Sequence, residues 1–162
     1  METPAIGAAE QGSNQRGIRA GLRRSTLALI SLEVLLAVGA IGGAYVMFEQ
    51  GDGAFGGAIT ARDLPWQSWT VVAVSLVVLI AVVPMVVALA AWTDEPLARS
   101  FGHFLVAIIL TGWIGLEVMI VGWISWLQPA LLAYAAVIAV LAVVDQWRSA
   151  TAAVHRAAAT PR

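Results

Sequence analysis

Residues 102–129 read GHFLVAIILTGWIGLEVMIVGWISWLQP. The segment from Gly102 to Trp126 is apolar and long enough for a bilayer-crossing helix, which takes about 20 residues. It is interrupted deep inside by one carboxylate, Glu117. A second apolar run, 130–144, follows at once. So short a link forces the two helices to run antiparallel, with Gln128-Pro129 expected as the turn.

The same pattern extends upstream. Thr93-Asp94-Glu95-Pro96 is polar, and Pro96 suits a new helix start. Before it lies an apolar run over 66–92. A Gly-rich loop over 49–64 carries Glu49, Asp52, Arg62 and Asp63, and a further apolar run covers 25–48. Arginines 16, 19, 23 and 24 precede that first run. A signal peptide also places cations before an apolar core, but its core is only about 7–15 residues long, so an uncleaved span is the better reading. Residues 1–22 are polar and aperiodic, which predicts a disordered tail. Asp145 and Arg148 close the fourth run, and 148–162 form a second, Ala-rich tail. The expectation is an all-α, four-helix transmembrane bundle over 23–147, with spans at about 25–48, 66–92, 102–126 and 130–144.

Composition agrees. The chain is 60% hydrophobic and 12% charged, against about 25% charged for a soluble domain. A net charge of −1 offers no basic field for nucleic acid. Cysteine is absent, which excludes disulfides, thiolate metal sites and thiol nucleophiles. No metal site and no cofactor is expected.

Four spans place both termini on one side. Arginines cluster before the first span and recur at Arg148 and Arg156, whereas the 49–64 loop holds more acids than cations. By the positive-inside rule both termini are cytoplasmic, in a multi-pass plasma-membrane protein. Trp66, Trp69, Trp123 and Trp126 then fall at the outer interface and Trp92 and Trp147 at the inner one, where indole rings are favoured.

Inside the spans stand Glu33 and Glu117. Each is about 13 Å from an edge at 1.5 Å per residue, so both are expected near the midplane, where they would meet if the first and third helices are neighbours. Two carboxyls in contact would share a proton, and intramembrane carboxylates usually mark proton, ion or ligand paths. The alternative is a purely structural interhelical hydrogen bond, worth about 0.6 kcal/mol. Glu33 shares a face with Ala37, Ala40 and Ala44, so it points into the bundle; Gly39 and Gly43 form a GxxxG pair beside that face. Trp113, one turn before Glu117, offers its indole N–H to the carboxyl. Pro84 frees the carbonyl of Ile80 and is expected to kink the second span. His103, at the start of the third span, is expected as a solvated interfacial residue.

The segment 112–129 resembles a family of small, mainly actinobacterial four-helix integral membrane proteins. The resemblance rests on Trp113-Ile114, Glu117-Val118, Gly122 and Leu127-Gln128-Pro129, with Pro65 as a further match. It implies the same architecture and marks Glu117, Gly122, Gln128 and Pro129 as motif elements. That family carries no assigned activity. A weaker likeness, around Glu33, is to small multidrug-resistance transporters, which also have four helices and a glutamate in the first. This chain departs from them in its long tails, long outer loop and second glutamate.

Two readings of function follow. The first is a non-enzymatic accessory or structural membrane protein, embedded in the lipid bilayer and packing against a second copy or a partner membrane protein. The second is a small proton-coupled transporter or hydrophobic-ligand-binding bundle using Glu33 and Glu117. An enzyme has little support, because no nucleophile–base pair is recognisable.

Overall fold

The computed structural model describes the backbone of residues 6–64, 66–93, 95 and 101–158, and the side chains of 24–64, 66–93, 95 and 101–152. Pro65 and Pro96 lie outside the described residues. Four helices are long and apolar enough to cross a membrane, and no strand occurs among the described residues. They are α1 (Ile6–Gln50), α2 (Trp69–Trp92), α3 (His103–Val121) and α4 (Leu127–Ala158). In hydrocarbon every backbone N–H and C=O must find its partner within the segment, which is why unbroken apolar runs become helices. The backbone of α1 begins well before its apolar span, extending into the segment expected as a disordered tail.

α1 packs against α2 and α4, and α3 against α4 and, more sparsely, α2. α1 and α3 therefore face each other across the diagonal of the bundle. The core is built from Leu29, Leu36, Ala37 and Ala40 of α1, Ile80 and Ala81 of α2, Leu110 and Ile114 of α3, and Ile138 of α4. Large apolar side chains on the outer faces, such as Leu35, Leu89, Ile108 and Val140, are exposed, as suits helices surrounded by lipid.

Pro84 shapes α2 through the turn before it. Val77–Val82 is π-helical, and the Val83 N–H donates to the carbonyl of Val78, five residues back. A proline in a regular α-helix leaves the carbonyl four residues earlier without a donor and clashes with it. The widened turn absorbs that defect, and Pro84 itself is fully buried.

The 51–68 connection folds down onto the bundle. Asp52 Oδ1 accepts from the Ala61 N–H and the Trp69 Nε1–H, both at 2.6 Å. Phe55 stacks on Trp69 with ring centroids 5.7 Å apart. Ile59 and Leu64 are buried beneath it. Trp69 thus ties down the loop, while Trp66, Trp92, Trp123, Trp126 and Trp147 stay exposed at the helix ends.

The α3–α4 turn differs from the expected one. α3 stops at Val121, because Gly122 adopts φ 74° and ψ −169°, a region open essentially to glycine alone. The turn is 122–126, and Gln128 and Pro129 belong to the first turn of α4. Proline costs nothing there, since a first-turn N–H has no helical partner to lose. α4 also runs past the expected end at 144: its apolar span is Leu127–Ala152. Asp145 does not stop it, because the side chain is buried and accepts a hydrogen bond from Ser25 Oγ of α1.

Candidate functional site

Glu33 is completely buried, on the face that also buries Ala37, Ala40 and Ala44. Its partner is not Glu117. His103 Nδ1 and Glu33 Oε1 share a 2.7 Å hydrogen bond across the bundle diagonal, and their side chains are 1% and 0% exposed. The expectation that His103 is a solvated interfacial residue is therefore corrected. The cause lies one residue earlier. A Cβ on Gly102 would sit 2.7 Å from Val87 Cγ1, so only glycine lets the chain lie this close to α2. Val87 is five residues inside the end of α2, about 7.5 Å at the helical rise. Gly102 thus lies against α2 well inside its end, and the next side chain, His103, meets Glu33. Around the pair, Tyr134 of α4 donates its hydroxyl to the carbonyl of Leu32 at 2.6 Å.

The two glutamates are far apart. His103 is level with Glu33, and Glu117 lies fourteen residues further along α3, about 21 Å at the helical rise. They form two sites at opposite ends of the bundle and share no depth. Glu117 receives a long hydrogen bond, 3.4 Å, from Gln128 Nε2. No hydrogen bond joins it to Trp113 among the described residues. Gln128 is the organiser of this end. It is 1% exposed, its Nε2 donates to the Gly122 carbonyl at 3.1 Å, and its Oε1 accepts from the Ile124 N–H at 3.1 Å. One amide side chain thereby satisfies backbone groups that the end of α3 leaves open.

Glu117 and Trp113 line two apolar cavities. The larger, about 550 Å³, lies between α1, α2, α3 and α4 beneath the 51–68 loop. Phe55 and Trp69 form part of its roof, Gly39 and Gly43 are on the α1 side, and Tyr134 lines the α4 side. The smaller, about 390 Å³, is bounded by Trp66, Ser75 and Leu79 together with Trp113 and Glu117. Gly39 and Gly43 do not form a close crossing with another helix. An added Cβ at Gly39 would meet nothing within 4 Å, and one at Gly43 only Leu76 at 3.4 Å. Both glycines instead leave space for the cavity. The hydroxyls of Ser31 and Thr111 bond back to the carbonyls of Leu27 and Ala107 in their own helices, so neither is held toward a site.

His103 and Tyr134 are the residues that sequence reasoning missed. Each has an ordinary reading of its own, a histidine at the edge of an apolar run and a tyrosine within one. The one available signal was Gly102, directly before the histidine. No group of three or more metal-ligating side chains occurs among the described residues. No known family model matches the chain, and neither does any curated protein or solved structure.

Proposed function

We propose that this is a non-enzymatic multi-pass protein of the plasma membrane, with both termini cytoplasmic, that holds a small hydrophobic molecule beneath its outer loop. The cavity carries this reading. At about 550 Å³ it falls within the roughly 300–1,000 Å³ of sites for drug-sized ligands. Its walls are aliphatic and aromatic, and Glu117 is its one carboxylate. Glu117 Oε2 makes no hydrogen bond among the described residues, so it can accept from a donor on the ligand. The matching ligand has an apolar body and one N–H or O–H. The arginines at the tail-bearing end of α1, and the acids of the outer loop, support the orientation. Among the described residues no nucleophile–base pair adjoins Glu117, which supports the non-enzymatic assignment.

N-Phenyl-1-naphthylamine, an apolar arylamine with one N–H, is a direct probe. Titrated into the protein in lipid nanodiscs, it should quench tryptophan emission saturably. Gly39→Leu, at a position where an added Cβ meets nothing within 4 Å, puts a side chain into the cavity and should abolish the saturable component. Glu117→Gln should weaken it by about tenfold, the value of one hydrogen bond to a charged group. Quenching that is unsaturable, or the same in Gly39→Leu, refutes the reading.

A second reading, packing against another copy or a partner membrane protein, is favoured by the exposure of Gly39 and Gly42, neither of which has an atom within 4 Å of its would-be Cβ. In that case Gly39→Leu changes oligomeric state and leaves probe quenching unaltered.

A further inference from the structure

We propose that the Glu33–His103 pair is a binding site for one exchangeable proton, carried on Glu33 Oε2 or His103 Nε2. The 2.7 Å contact holds one proton between Oε1 and Nδ1, whichever atom owns it. With that proton alone the carboxyl and imidazole together carry a charge of minus one, by simple counting of the groups' protons. A neutral pair needs a second proton, and only Oε2 and Nε2 remain to take it. Those are the two buried side-chain atoms that have no hydrogen-bond partner among the described residues. Buried polar atoms are nearly always paired, and exceptions call for an explanation. Here both exceptions fall on one hydrogen-bonded pair, at the two positions where its second proton can reside.

The surroundings isolate the pair. α2 carries no ionisable residue between Trp69 and Trp92. From α4, Tyr134 is committed to the Leu32 carbonyl, and Asp145 is held by Ser25 nearer the tail-bearing end. On α3 the next ionisable group, Glu117, is about 21 Å away along the axis. On α1, Arg24 is exposed and about 13 Å away by the same rise. Taking up or giving up the proton therefore changes the charge of the core by a whole unit, with no described cation in contact to offset it. Such a charge is costly in an apolar interior, so proton exchange at this site alters how firmly α1 and α3 are held across the diagonal. Neither Glu33 nor His103 lines the Glu117 cavity, although its wall reaches Leu36 and Tyr134 beside them. The pair's own atoms carry the proposal, whatever that cavity binds.

The test uses the full chain in lipid nanodiscs with ¹⁵N-labelled histidine, in a His155→Gln background so that His103 gives the one signal. Over about pH 5 to pH 10, a range chosen to bracket imidazole titration, both ring nitrogens are followed together with the ¹³C-labelled carboxyl of Glu33. A shared proton moves the His103 and Glu33 resonances with a common midpoint. Glu33→Gln displaces the His103 midpoint by about one pH unit or more, as expected for strongly interacting groups. Separate midpoints, no change in either residue across the range, or a His103 midpoint untouched by Glu33→Gln overturns the proposal. The wild-type measurement decides the matter by itself if Glu33→Gln does not fold.

Discussion

Breaking the Glu33–His103 pair from one side should harm the protein far more than removing it altogether. In His103→Leu both oxygens of Glu33 stay buried with no partner. In Glu33→Leu both nitrogens of His103 do. Truncating one member of a buried pair costs about 3–5 kcal/mol in soluble proteins, mostly as the penalty on the group left behind. In a membrane-like medium the unfolded chain also finds partners, which lowers such values; about 2–3 kcal/mol for each single variant is the expectation here. The double variant Glu33→Leu/His103→Leu leaves no polar group at the site, beside Leu29, Leu36 and Val106. It should lie within about 1 kcal/mol of wild type, as apolar replacements of buried pairs do. The coupling energy is then at least about 3 kcal/mol, more than a hundredfold in the folding equilibrium. Reversible unfolding of the four proteins by sodium dodecyl sulfate in mixed micelles, followed by tryptophan fluorescence, measures it. If the two single losses simply add in the double variant, the side chains act independently and the diagonal pair is not what holds α1 to α3.

Other expectations concern the two turns. Gln128→Leu keeps the volume but leaves the Gly122 carbonyl and Ile124 N–H without their 3.1 Å partners; at about 1 kcal/mol per bond it should lose about 2 kcal/mol in the same unfolding assay. Gly122→Ala must hold an alanine at φ 74°, which costs about 1–3 kcal/mol and should speed amide exchange at 122–126. In the 51–68 loop, the Thr60 backbone N–H and hydroxyl hold the Asp63 carboxyl below the usual carboxylate range. A depressed folded value means the stabilisation is present at neutral pH. It fades as pH falls from about 4, the ordinary aspartate value, through the folded one. Amide exchange at Thr60–Leu64 should accelerate over that acid window in wild type and be fast and pH-insensitive in Asp63→Asn, after correction for intrinsic exchange.

Hydropathy and helix length were enough to read four membrane-spanning helices, because a bilayer admits few alternatives to an unbroken helix. The face of Glu33 was legible for a related reason: the alanines at positions 37, 40 and 44 recur at the helical repeat. Local chemistry also marked Gln128 and Pro129 as a turn, although the conformation of Gly122, a residue singled out only by the family resemblance, placed the break several residues earlier. What the sequence could not supply was depth relative to other helices. Counting inward from Arg24 to Glu33 and from Trp126 back to Glu117 set the two level with each other, since each count took a boundary in the sequence for a membrane edge. Gly102 lies against Val87, inside the end of α2, and α3 already stops at Val121, so the frame of every residue along α3 shifts. That one contact makes His103 the partner of Glu33, sends Glu117 to the cavity beneath the 51–68 loop, and separates one supposed carboxylate site into two. Helical periodicity is a property of one segment and can be read from it, whereas the axial offset between diagonal helices is set by side chains packing across three others.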